Sequence, residues 1–85
     1  MESVQQKVTN ILIEKLGIEV SQITPNANFI KDLGIDSLDY VELIMEFEQA
    51  FNIRISDTEG EQIKTVGQAV SYIEKKLIET AVKVA

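Results

Sequence analysis

Ser37, within Asp36-Ser-Leu-Asp39, is a spare serine at the start of a predicted helix. Asp36 suits the N-cap of a helix, and Asp39 then falls at N3, so two carboxylates are available for the orphan N–H groups of the first turn. Ser37 at N1 is left with no capping duty. An ordinary first-turn serine is the plainer reading, and the residues around Ser37 offer it no activation. Gly34-Ile-Asp-Ser-Leu38 lacks the flanking glycines of a hydrolase elbow, and the chain has no histidine to take the serine proton. Cysteine is also absent, which removes thiol nucleophiles and thiolate metal sites along with the commonest general base. What remains for chemistry is carboxylates, lysines and hydroxyls, so the chain is not expected to be an enzyme. No metal site is expected either: Asp57-Thr-Glu-Gly-Glu61 fails the register of a calcium loop. No phosphate-cradling glycine loop occurs.

The helix that Ser37 opens has two apolar faces. At 100° per residue, Tyr40, Leu43, Phe47, Ala50 and Phe51 gather within about 100° of arc, the width of one buried face, with Ile44 at its edge. Leu38, Val41 and Met45 fall on roughly the opposite side, flanked by Glu42 and Glu48. That second stripe is either core or a docking surface. Asp32, Asp36, Asp39, Glu42, Glu46 and Glu48 follow one another with no Lys or Arg between Lys31 and Arg54. An apolar strip in a rim of one sign favours a surface that steers and seats a basic, partly apolar protein.

Three further elements must position this helix. Ser3 and Gln6 form a predicted capping box, Val4, Val8, Ile11, Leu12 and Leu16 make an apolar stripe, and Gly17 supplies a left-handed stop. The connection from Gly17 to Ile35 is long for an unstructured loop; Ile18, Val20, Ile23, Phe29, Ile30 and Leu33 are its expected anchors and Thr24-Pro25-Asn26 its turn. Gly34 frees the backbone to swing into the Asp36 cap. Ile53 and Ile55 are expected to be buried in a loop. Ser56 with Glu59 opens a short helix to about Ile63, weakened by Gly60, and Thr65 with Gln68 opens a last helix whose inner face is Val66, Ala69, Val70, Ile73 and Leu77. The tail 79–85 either extends that helix or frays.

With 85 residues, the expectation is one domain: an all-α four-helix bundle of three principal helices and one short one, with a long first loop. The formal net charge of −6 opposes nucleic acid and anionic membrane surfaces. No apolar run approaches the roughly 20 residues of a membrane span, and Met-Glu-Ser-Val-Gln-Gln-Lys7 does not read as a signal peptide. A monomer in a cytoplasmic, reducing compartment, or an organelle interior if the chain is processed, fits these features.

Asp32-Leu-Gly-Ile-Asp-Ser-Leu-Asp39 followed by Val41-Glu-Leu-Ile-Met45 resembles the attachment site and recognition helix of acyl carrier proteins, especially the freestanding carriers of dissociated fatty-acid synthesis. The likeness runs from about Val8 to Leu77 and takes in Phe29, Ile55, Ile63-Lys-Thr-Val66 and Tyr72-Ile73. It implies that Ser37, between Asp36 and Leu38, bears a 4′-phosphopantetheine arm derived from coenzyme A and installed by a phosphopantetheinyl transferase. A phosphodiester at N1 would lie where backbone N–H groups and the helix dipole tolerate anionic charge. The resemblance further implies docking of fatty-acid synthesis enzymes, through basic patches, on Asp36, Leu38, Asp39, Val41, Glu42, Met45 and Glu48. It also implies an acyl pocket among Phe29, Tyr40, Leu43, Phe47, Ile55, Gly60, Ile63, Ala69 and Tyr72. Tyr40 and Gly60 depart from the threonine and alanine more familiar there. A carrier serving a polyketide, peptide or specialised lipid pathway would look the same, and an unmodified acidic adaptor would share the docking stripe.

Overall fold

The computed structural model describes residues 3–83, in the order α1 (Val4–Leu16), a 3-10 turn (Val20–Gln22), α2 (Ser37–Phe51), α3 (Asp57–Gln62) and α4 (Val66–Lys83). Among the described residues there is no strand, only an isolated antiparallel bridge between Asn28 and Thr65. Ser3 caps α1 by accepting from the Gln6 N–H at 3.1 Å, and Gly17, at φ 67°, turns the chain out of it. α1 packs against both α2 and α4. Its Val8 and Leu12 meet Leu43 and Phe47 of α2 and Ala69 and Ile73 of α4 in a core that also takes Phe29, Leu33, Ile35, Ile53, Ile55 and Ile63 from the connections. The tail expected to extend or fray continues α4 as far as Lys83; residues 84 and 85 lie outside the described residues.

The long strap 17–35 is ordered by what it supplies to α4. A helix begins with N–H groups that have no partner of their own. In α4 the N–H of Val66 donates to Ala27 O at 3.0 Å and that of Gly67 to Pro25 O at 2.9 Å. The Gln68 N–H goes to Thr65 Oγ1 at 3.2 Å, and the Gln68 side chain returns to the Thr65 and Lys64 N–H groups, completing the expected box. A Cβ at position 67 would stand 2.9 Å from Pro25 O, so glycine is required where strap and helix touch. Ala27 N donates to Thr24 O at 3.0 Å, closing the predicted turn.

Farther along, Asn28 organises the approach to α2. Its Oδ1 accepts from the Ile30 and Lys31 N–H groups while its own N–H donates to Asp32 Oδ2 at 2.7 Å. Phe29 N donates to Lys64 O, Phe29 O accepts from Ile35, and Gly34 passes through φ 69°. Phe29, Leu33 and Ile35 are thereby buried, and Asp36 and Ser37 emerge into solvent. Two of the expected anchors do not serve: Val20 is 67% exposed and Ile30 51%. Val20 lies in the 3-10 turn, and the Asn28 turn carries Ile30 away from the core.

α3 rests on a second box, in which Ser56 Oγ accepts from the Glu59 N–H at 3.2 Å and the Glu59 carboxylate accepts from the Ser56 N–H and hydroxyl. The Glu59 carboxyl is held down to about 2, first by the neighbouring Tyr72 hydroxyl, then by the Ser56 N–H and hydroxyl, with Lys76 adding opposite charge. Lys76 Nζ lies 3.9 Å from Glu59 Oε2, so α4 grips α3 through this carboxylate. A depressed carboxyl contributes stability above its ordinary value of 4.5 and loses it as pH falls from there to about 2. Thermal melts across that interval should therefore fall more steeply with acidity in the parent than in Glu59→Gln. Parallel pH profiles would show that the carboxylate does not hold α3.

Candidate functional site

Asp36, extended at φ −78° and ψ 171°, caps α2 by accepting from the Asp39 N–H at 2.8 Å. Asp39 occupies N3 as expected, but its own carboxylate accepts no hydrogen bond among the described residues. Ser37 stands at N1, exposed, and its hydroxyl has no partner there either. The N–H groups of Ser37 and Leu38 are likewise unpartnered among the described residues, so the helix start offers donors beside a free hydroxyl. A phosphodiester on that oxygen fits this setting. Among the described residues the hydroxyl meets no base that would make it a nucleophile.

The second stripe of α2 is surface. Leu38 is 78% exposed, Val41 57% and Met45 48%, with Asp36 and Glu42 exposed beside them and Asp39 partly so. Glu48 departs from this rim: it is half-buried, and its Oε2 accepts from the Ile55 N–H at 2.8 Å, tying α2 to the loop before α3. Ala50, placed on the core-facing arc by the wheel, is exposed because it lies in the last turn of α2, where the inward direction is taken by Phe47 and Phe51.

Two clefts adjoin α2 and α3. The larger, about 580 Å³, is lined by Tyr40, Val41, Ile44, Met45, Glu48, Ile55, Ser56, Asp57, Gly60 and Glu61. The smaller, about 180 Å³, is lined by Asn28, Phe29, Ile30, Tyr40, Glu61, Ile63 and Lys64. Of the residues expected to form an acyl pocket, Tyr40, Ile55 and Gly60 line the first, and Phe29, Tyr40 and Ile63 the second. Leu43, Phe47 and Ala69 line neither, because they are wholly buried in the solid core between α1, α2 and α4. Tyr72 also lines neither; it packs at the core edge, with its hydroxyl buried beside the Glu59 carboxylate. Among the cleft residues that were not candidates are Ile44 and Glu61. Ile44 was legible in principle, one turn beyond Tyr40 at i+4, whereas Glu61 is brought there only by the docking of α3.

Tyr40 is half-buried, its ring 5.8 Å from that of Phe29. Its Oη donates to the carbonyl oxygens of Gly60, at 2.6 Å, and Ile63. Burial pushes this phenol up to about 12, so it remains a donor at neutral pH. No cluster of ligating side chains suited to a metal occurs among the described residues, and none of their helices is long and apolar enough to cross a membrane.

Residues 6–73 match the family of the phosphopantetheine attachment site. The acyl carrier protein of Amoebophilus asiaticus is 51% identical over 79 residues, spanning 93% of this chain and 99% of its own. That of Thermotoga maritima is 53% identical over 76 residues, spanning 89% and 94%. The solved structure of the acyl carrier protein from Enterococcus faecalis superposes with a TM-score of 0.74 at 41% identity, covering 86% of this chain and 92% of that one. On these likenesses, and with an exposed, uncommitted serine at the head of α2, the chain belongs to the acyl carrier proteins of fatty-acid synthesis, which carry acyl groups on covalently attached 4′-phosphopantetheine and are not enzymes.

Proposed function

We propose that Ser37 is the attachment residue and that the exposed strip of α2 is the face by which enzymes recognise the carrier. The observation that carries this reading is the unpartnered Ser37 hydroxyl at N1, released from capping by Asp36 and set beside exposed Leu38, Val41 and Met45. When bound, the arm supplies a terminal thiol that holds the acyl group as a thioester. This chain's residues do the rest: Asp36 orients the helix start, the α2 strip docks partners, and the cleft between α2 and α3 takes the acyl chain, with Tyr40, Ile44, Ile55 and Gly60 on its walls. Tethering raises the effective concentration of the cargo at successive active sites. Incubation with coenzyme A, magnesium and a phosphopantetheinyl transferase should add one arm, read by intact mass. No addition, or addition of more than one, would overturn the assignment.

The partners implied are the transferase and fatty-acid synthesis enzymes carrying basic patches against Asp36, Asp39 and Glu42. Met45→Ala or Glu42→Lys should weaken transfer to a cognate synthase by about tenfold, the ~1.4 kcal/mol scale of a single interface anchor. The fold should be unaffected, since both side chains are exposed. Rising salt should weaken the parent through screening of the rim charges. Unchanged transfer in both variants would place docking elsewhere.

A further inference from the structure

Tyr40 and Glu61 are the residues that line both clefts, and Tyr40 is held there from two directions. Its ring packs on Phe29, a wall of the smaller cleft, while its hydroxyl reaches across to α3. One phenolic proton is shared between the carbonyls of Gly60 and Ile63. Gly60 lies near the C-terminal end of a six-residue helix and Ile63 is its C-cap, and the Gly60 carbonyl accepts from the Ile63 N–H as well as from the phenol. The phenol therefore ties α3 to α2 at the boundary of the two spaces. Ser37, Tyr40, Val41 and Ile44 follow at i, i+3, i+4 and i+7, so one face of α2 leads from the attachment serine to this boundary.

We propose that Tyr40 is a latched partition that sets the length of acyl chain this protein shelters. A short chain entering along Val41 and Ile44 occupies the larger cleft; the smaller one beyond becomes available only when the phenol releases Gly60 and Ile63. The inference rests on Ser37 being the attachment residue. Release removes the phenol from both carbonyls, of which Gly60 O keeps the Ile63 N–H and Ile63 O is left without a donor among the described residues, a cost that opposes opening. Gly60 acts on the other side of the partition. A Cβ there would stand 3.9 Å from Ile44 Cγ1 and Ile55 Cγ2, ordinary contact, so packing does not demand the glycine and its methyl-sized gap belongs to the larger cleft.

The test loads the parent, Tyr40→Thr, Tyr40→Phe and Gly60→Ala directly with octanoyl or palmitoyl arms from the corresponding acyl-coenzyme A and a phosphopantetheinyl transferase. Intact mass confirms loading and so tests the Ser37 reading separately. Thioester hydrolysis is then followed at mildly alkaline pH. The palmitoyl thioester should hydrolyse more slowly on Tyr40→Thr than on the parent, by roughly fourfold for each further methylene withdrawn from water. Tyr40→Phe, which keeps the ring and removes the latch, should fall between them, and hydrogen exchange of the α3 amides should rise in it. Gly60→Ala should speed hydrolysis of the octanoyl thioester by narrowing the larger cleft. Equal palmitoyl rates in the parent and Tyr40→Thr overturn the partition. Should Tyr40→Thr fail to fold by circular dichroism, equal rates in the parent and Tyr40→Phe overturn it instead.

Discussion

Replacing Ser37 by alanine should abolish arm attachment completely while changing stability by no more than about 0.5 kcal/mol. The two halves of this result have separate causes. The side chain is exposed and bonds to nothing among the described residues, so the fold loses no contact with it; Asp36, not Ser37, caps α2. No other hydroxyl of the chain stands in the same sequence setting. Ser3, Ser56 and Thr65 are each committed as caps, and Ser21 and Ser71, though exposed, lack the Asp-Ser-Leu-Asp surround. Intact mass after incubation with coenzyme A and transferase reads the first half, and chemical denaturation the second. Modification persisting in Ser37→Ala would move the site, and a large loss of stability would mean that the serine is structural.

Phe47→Ala should lose about 3–5 kcal/mol, the cost of a buried aromatic truncated in a packed interior. Phe47 is 0% exposed at the centre of the face that α2 turns to the core, with Leu43 one turn before it at 1%. A domain of 85 residues has only roughly 4–13 kcal/mol in total, so this substitution consumes much of the margin. Urea unfolding should show a lower midpoint with an unchanged slope. Met45→Ala, two residues earlier on the exposed strip, should move that midpoint little. A loss below about 1 kcal/mol for Phe47→Ala would contradict the packing of the inner face of α2 against α1 and the core.

The contrast between Phe47 and Met45 also shows how far the sequence could be read. Caps and stops are local: Ser3, Gly17, Asp36, Ser56 and Thr65 act through neighbours within a few residues, so the helix starts and the end of α1 were legible from spacing alone. The buried face of α2 was legible as well, because helical periodicity fixes which residues share a side. Periodicity does not say whether a side is covered. Leu38, Val41 and Met45 fitted both core and surface, and the bundle decided for surface by placing α1 and the core against the opposite face. The same limit applied to the strap, where hydrophobicity named six anchors, yet Val20 and Ile30 were turned out by the 3-10 turn and the Asn28 side chain.

The freedom of Ser37 was legible in the sequence, since it follows from Asp36 standing one residue before it as the cap. The clefts beside α2 were not. Leu43, Phe47 and Ala69 were candidates because they face inward, but an inward residue becomes a wall only where two elements fail to close, and closure depends on contacts between residues far apart in the chain. Glu48 reaching Ile55, Glu59 beside Tyr72, and Tyr40 reaching Gly60 and Ile63 are of that kind. Each joins an element to another whose distance and angle are set by the whole core, so only the tertiary structure could decide where α3 rests and how the cleft beside it is divided.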